Sequence, residues 1–410
     1  MNYYIIPKNN FNINLNVKLI NDTLSPLISN SLIFYLNNIH NNLSKIETST
    51  EYLNGNTTID YISKIVNPLE FVYTKVPGST LTVSKIIPDS NIFFELMEIF
   101  NLFNTSEFLF SKKQMYIAHL TSNYTSTNSL LNMFRDNIDD IIVNEDFDYD
   151  KLIDKFIVNT YNKQLDLLIC EFNTSDYNDI NKYINNMLLI FTIITKYQTS
   201  HGTCIIKIDN VFYKAIIDII FIFSAIYDKV YLIKPSISQI TKGDRYIVCK
   251  SYNPIQSNLI KQIEKQIISR LTEKTISKSY VGALLQNEIP YFFLNKLEEI
   301  NAVIGQQQLE AYDQIINIFK STNREEKIDL LKRSHIQKSI QWCEKNNISH
   351  NKFIDTINIF FKIKKDIDND SYNDNYNEEY NDNSNNTNTN NTNNTNNSEN
   401  ELDLGFYNGK

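Results

Sequence analysis

The chain of 410 residues is poor in glycine, proline, tryptophan and cysteine, with 8, 8, 1 and 4 of each. Its cysteines, Cys170, Cys204, Cys249 and Cys343, stand far apart, which excludes the paired spacing of a zinc ribbon and the dense pattern of a disulfide-stapled domain. A reducing compartment fits that usage. No window approaches the ~18 uninterrupted apolar residues of a membrane span, and the start, MNYYIIPKNNFNIN, lacks a basic segment leading into an apolar one. No membrane role is expected, and the Asn-x-Ser/Thr triplets follow from an asparagine-rich composition. Glycine is absent between Gly78 and Gly202, so turns in that stretch must be made by residues that carry side chains.

What is present suffices for a globular core: hydrophobic residues make up 42% and aromatics 12%, with 25 Tyr and 24 Phe. The formal charge of −8 is dominated by one end. Residues 366–410 carry Asp366, Asp368, Asp370, Asp374, Glu378, Glu379, Asp382, Glu399, Glu401 and Asp403 against Lys410. Setting those aside leaves 38 basic against 37 acidic side chains, a charge of +1 for residues 1–365. A near-neutral body is compatible with a nucleic-acid partner but does not argue for one unaided. The heavy use of Asn, Ile, Lys and Tyr follows AT-rich codons. The tail itself, SYNDNYNEEYNDNSNNTNTNNTNNTNNSENELDLGFYNGK, is low-complexity, acidic and too polar to offset ordering entropy, which predicts disorder over 366–410.

Periodicity organises the rest. Residues 1–78 mix short apolar runs with polar loops and a helical stretch, SPLISNSLIFYLNNIHNNLSKI, and read as an N-terminal extension ending at the turn VPGS. Helices are expected at SNIFFELMEIFNLF, DYNDINKYINNMLLIFTIITKYQ and FYKAIIDIIFIFSAIY, and strands at QMYIAHL, QLDLLICEF, TCIIKID, KVYLIKP and RYIVCKSY. That alternation predicts an α/β fold with a mostly parallel sheet covered on both faces. The stretch 256–365 reads as a helical C-terminal region, from NPIQSNLIKQIEKQIISRL, YFFLNKLEEINAVIGQQQLEAYDQIINIFK and NREEKIDLLKRSHIQKSIQWCEKNN.

Residues 79–255 carry a series whose order and spacing are similar to the FtsJ/RrmJ group of ribose 2′-O-methyltransferases, in particular the cap-modifying branch of large DNA viruses. LDLLICEFN supplies an acid after a strand, GTCIIKID a glycine and a lysine, and YDKVYLIKPSISQITKGDRYIVCK a Lys-Pro, a Ser, a loop, an acid and a Tyr-aliphatic strand. SNIFFELMEIF resembles the helix before the cofactor strand, and QMYIAHLTSNYTSTNSLLNMF takes the place of that strand and its loop. The resemblance implies a Rossmann-like sheet, S-adenosylmethionine as cofactor and RNA, especially the mRNA cap, as substrate. It also implies a lysine-aspartate-lysine-glutamate tetrad whose second lysine is the general base. Carried over by position, that lysine is Lys207, the aspartate falls on Glu171, the glutamate on Asp244 and the first lysine on Glu95. The cofactor loop falls on His119, Thr121, Ser122 and Asn123.

Two departures carry physical weight. A lysine acts as a base only when neutral, which desolvation and a neighbouring cation promote. Glu95 puts an anion where the cation belongs, and one unit-charge interaction at 4 Å is about 4 kcal/mol at an effective dielectric near 20. The Ala-Pro-Gly-Gly type turn of the family is also missing, since AHLTSNY stands there. The resulting expectation is a diverged, weak or inactive methyltransferase fold acting as an RNA-binding or partner subunit in viral capping or transcription, in the host cytoplasm or virion. The alternatives are an active S-adenosylmethionine-dependent cap ribose 2′-O-methyltransferase and a virion scaffold. Individual residues keep plainer readings: Lys207 as a structural ion pair, His119 as a core or loop histidine, Lys234 as a solvated strand end or a phosphate contact, and Trp342 as helix packing.

Overall fold

A computed structural model describes residues 2–9, 13, 15–21, 23–48, 58–103, 112–135, 140–158, 163–253, 267–269 and 280–353. The acidic tail expected to be disordered, and most of the helix expected at NPIQSNLIKQIEKQIISRL, lie outside them. The chain adopts the expected α/β class. Its strands are β1 (Asn2–Ile6), β2 (Leu15–Ile20), β3 (Tyr116–Leu120), β4 (Ile141–Glu145), β5 (Leu165–Glu171), β6 (Gln198–Ile208), β7 (Tyr227–Lys234), β8 (Arg245–Tyr252) and β9 (Tyr280–Leu285). Its helices are α1 (Asn30–Thr48), α2 (Ile59–Val66), α3 (Ile92–Leu102), α4 (Tyr124–Phe134), α5 (Tyr149–Ile153), α6 (Ile180–Tyr197), α7 (Lys214–Ile226), α8 (Tyr291–Phe319) and α9 (Arg324–Lys345).

Seven strands form one sheet in the order β1-β7-β8-β6-β5-β3-β4, and β2 pairs with β9 separately. Strands β4, β3, β5 and β6 are parallel, whereas β8 runs against both β6 and β7, and β1 runs against β7. The sheet is therefore mixed rather than mostly parallel. Two reversals explain it: β7 and β8 join through a ten-residue loop too short for a parallel crossover, and β1 comes from the far end of the chain. The stretch 1–78 is consequently no appendage, because β1 closes one edge of the main sheet. The region 256–365 likewise contributes strand β9 as well as helices.

Alternation along the strands sends side chains to two cores. Ile206, Ile208 and Cys204 join helices α6 and α7 on one face, while Ile205, Leu167, Ile169 and Val248 join α2, α3 and α9 on the other. Helix α8 serves both: Phe293, Leu297, Ile300 and Ile304 pack in the first core, Ala311, Ile315 and Ile318 in the second. Between these segments it crosses the sheet at the ends of β6 and β8. There Asn301 donates to the Val211 carbonyl at 3.0 Å and accepts from Arg245 at 2.8 Å, and Gln308 and Tyr312 donate to the Thr241 carbonyl at 3.1 and 2.9 Å. No helix among the described residues is long and apolar enough to cross a membrane.

The β2–β9 ribbon is fastened by one buried acid. Asp218 of α7 is fully enclosed and accepts from the backbone N–H groups of Leu284 and Leu285 at 2.8 and 3.1 Å, with Lys214 as its ion partner. Replacing it with alanine strands two buried donors, each costing about 1–3 kcal/mol. Urea unfolding of Asp218→Ala is therefore expected to show a loss of about 2–4 kcal/mol, with Asp218→Asn losing less because it keeps an acceptor.

Candidate functional site

The parallel strands end together, and the chain reverses its direction of travel between β3 and β5, which is where open α/β sheets place their ligands. Period-two alternation explains which side chains meet there. Lys207 shares the parity of Ile205, Glu171 that of Leu167 and Ile169, and Asp244 that of Tyr246 and Val248, so all three face the α3 side. Helix α3 lies over that face and contributes Glu95 from its first turn, where an acid also suits the helix dipole.

The four residues assigned to the tetrad positions converge on one amine. Lys207 Nζ lies 2.8 Å from Glu95, 3.1 Å from Glu171 and 3.7 Å from Asp244. Lys207 is 8% exposed and Glu95 1%. Burial alone is the largest influence and would lower the lysine's pKa, but Glu95, then Tyr246, Glu171 and Asp244, outweigh it and hold the ammonium well above the ordinary lysine range. Glu95 feels burial pushing its own pKa up against the pull of Lys207, and it accepts a short hydrogen bond from the Tyr246 hydroxyl. We assign the proton to the lysine, because three anionic partners compete for it.

Lys234 does not supply the missing cation. It is 5% exposed and donates to the carbonyls of Gln239, Lys242 and Asp244 at 3.0, 2.8 and 3.0 Å, and to the Asp244 carboxylate at 2.8 Å. It is neither a solvated strand end nor placed to meet a phosphate: it staples the loop 235–244. Glu98 braces the same loop by accepting from Ser236 Oγ and from the Ile237 N–H. Asp244 thus bridges two lysines. Burial pushes its pKa up, but Lys234 and Lys207 together bring it down to about 2.

The cofactor-loop residues are divided. His119 lies inside β3, fully buried, shares a 2.9 Å hydrogen bond with Thr127 of α4, and has its pKa lowered to about 4 by burial, so it is a neutral core histidine. Ser122 is exposed. Thr121 and Asn123 turn inward and both donate to the Glu171 carboxylate, at 3.1 and 2.9 Å, and Thr121 Oγ1 accepts from the Asn123 N–H at 3.0 Å. The side chains that replace glycines in this loop therefore bridge the β3 and β5 ends.

Glu145, at the end of β4, was not singled out in the sequence. It occupies the place where dinucleotide-binding sheets present an acid to a ribose hydroxyl. Its carboxylate is paired with Lys155 and its carbonyl accepts from the Thr121 N–H at 2.9 Å. The only signal for it was IIVNE, a five-residue run next to several aspartates. A depression of about 570 Å³ lies between α8 and α9, and another of about 410 Å³ at the opposite edge of the sheet.

No family model matches the chain. It is distantly homologous to a mouse cap-specific mRNA (nucleoside-2′-O-)-methyltransferase 2, with 22% identity over 157 residues, 37% of this chain. The matched stretch spans only 20% of that relative's length. Among solved structures, a ribosomal RNA methyltransferase from Plasmodium falciparum aligns with a TM-score of 0.31 and 15% identity, covering 40% of this chain and 97% of that one.

The site makes a pH-dependent contribution to stability. An aspartate held near 2 against an ordinary 3.8 stabilises the fold by about 2 kcal/mol at neutral pH. Because the folded pKa is the lower one, that stability is complete above about pH 4 and fades as pH falls toward 2. Urea titrations should show Asp244→Asn less stable than wild type by about 2 kcal/mol or more at pH 7, with the gap narrowing below pH 4.

Proposed function

We propose that this chain is a catalytically disarmed relative of the ribose 2′-O-methyltransferases, serving as an RNA-binding or partner subunit in viral mRNA capping or transcription. One observation carries the reading: the amine at the general-base position touches three carboxylates and, among the described residues, Glu95 stands where the reaction calls for a cation. Ribose methylation needs a 2′-hydroxyl stripped of its proton as it attacks the methyl group of the cofactor. An ammonium has no lone pair with which to accept that proton.

The cofactor test points the same way. S-adenosylmethionine needs room beside the β3 turn and free acceptors for its ribose. The residues present fit poorly: Thr121 and Asn123 fill the space by bonding Glu171, and Glu145 already holds Lys155. RNA as the partner is supported by the distant kinship with an enzyme whose name specifies mRNA. The rival reading, an active cap methyltransferase, is favoured by the convergence of Lys207, Glu171 and Asp244 and by the distant kinship with such an enzyme.

Two measurements separate them. Titration calorimetry should show no heat of S-adenosylmethionine binding up to about millimolar cofactor, the level at which a site worth about 4 kcal/mol would be half-filled. Methyl transfer to capped RNA should be absent in wild type and unchanged by Lys207→Ala. Micromolar binding at one cofactor per chain, or a transfer signal that Lys207→Ala removes, would establish the active enzyme instead.

A further inference from the structure

Charges are unevenly shared between the two edges of the main sheet, with pairs of opposite sign at both. At the carboxyl ends of the parallel strands stand Glu145, Glu171, Asp209 and Asp244. At the opposite edge every one of the seven strands brings a cation. In strand order they are Arg135 before β4, Lys112 and Lys113 before β3, Lys163 before β5, and Lys196 before β6. Lys250 near the end of β8, Lys229 near the start of β7 and Lys8 just past β1 complete the row. Register confirms the alignment on the far side, since Lys229 sits opposite Lys250 and Lys8 donates to the carbonyls of Ala225 and Tyr227. Arg135 is buried and paired with Asp140, Lys112 is paired with Asp166, and the exposed Asp228 stands beside Lys229 and near Lys8, so the exposed lysines Lys113, Lys163 and Lys229 carry most of the row's reach toward solvent. At about 4.8 Å per strand the row spans roughly 29 Å.

Aromatic rings interleave with it. Lys163 Nζ lies 5.2 Å above the Tyr116 ring and Lys250 Nζ 5.4 Å above that of Phe103. Between the approaches to β3 and β5 a cleft of about 410 Å³ is lined by Lys112, Gln114, Tyr116, Lys163, Gln164 and Thr199. Asp166 forms its floor by holding Lys112, the Tyr116 N–H and the Thr199 hydroxyl together. Beside it the β5–β6 pairing jumps from Leu165↔Gln198 to Leu167↔Thr203, so residues 199–202 bulge out of the ladder, with His201 at a φ of 64°. Bulges that re-aim side chains are concentrated at functional edges.

We propose that this amino-terminal edge is a track for single-stranded RNA, with one unpaired base received in the cleft beside Tyr116. A row of ammonium groups neutralises a phosphate backbone. Aromatic faces give unpaired bases a stacking surface, and the glutamine amides offer both donors and acceptors to a base edge. The identity of the polyanion as RNA rests on the reading above. The placement of the track does not, because none of its residues touches Lys207.

The test is fluorescence anisotropy of the full chain with a labelled single-stranded RNA of about 16 nucleotides, across a range of salt. Lys113, Lys163 and Lys229 are exposed, so a variant carrying all three as Lys→Glu should keep the fold, with a melting shift no larger than that of a Lys163→Gln control that loses the same contact with Tyr116. It is expected to bind at least about tenfold more weakly, with the slope of log K against log salt reduced by about two. Reversing Lys182 and Lys242, exposed at the carboxyl edge, should change neither. Tyr116→Ala should weaken RNA about fivefold while leaving an abasic strand unaffected. Wild-type affinity in the triple variant, an equal loss in the Lys182/Lys242 variant, or displacement by poly-glutamate as effective as by RNA would each overturn the track. If wild type takes up RNA but the triple variant does so equally, the track fails and RNA binding stands; if wild type binds none, both fail.

Discussion

An ammonium group held by three carboxylates organises the carboxyl edge of this sheet. Lys207 reaches Glu95 from a helix, Glu171 from a parallel neighbour and Asp244 from an antiparallel one, so a single cation joins three separately built pieces of the chain. A buried charge is tolerated only when its partners are in place. Here Tyr246 supports Glu95, Lys234 supports Asp244, and Thr121 and Asn123 support Glu171. Each of the three carboxylates thus has a further partner within the protein besides Lys207. Groups poised for proton transfer keep a vacancy for substrate instead.

The same logic reaches outward. Loop 235–244 is stapled by Lys234, braced by Glu98 and clamped by α8 through Thr241. A site that must admit a cofactor and an RNA end benefits from mobile surroundings. This one is surrounded by fixed hydrogen bonds. The proposed RNA track lies at the edge of the sheet opposite this network.

Much of this was legible in the residues. Apolar runs such as LDLLIC and CIIKI specify strands because they are buried on both faces, and the long amphipathic runs specify the helices that cover them. Placing Glu95 at the missing lysine's position followed from resemblance, and its contact with Lys207 follows from geometry. What was hidden depends on who lies next to whom. IIVNE is too short and too close to acids to announce β4. MNYYII gives no sign that its partner is β7. Lys234 looked solvated because nothing local reveals four acceptors folding back onto it. The row of cations is scattered from residue 8 to residue 250 and becomes a row only through strand order.

Strand β1 has one more consequence. Its residues pair in register from Asn2↔Lys234 to Ile6↔Val230, so this strand is made more than 220 residues before its partner. At synthesis rates of about 5–20 residues per second the interval is roughly 10 to 45 s. Through that time Tyr3 and Ile5, which stay half-exposed even in the finished fold, have no neighbour. Synthesis of this protein therefore has a built-in window in which a chaperone, or another strand, can reach the unpaired edge of β1.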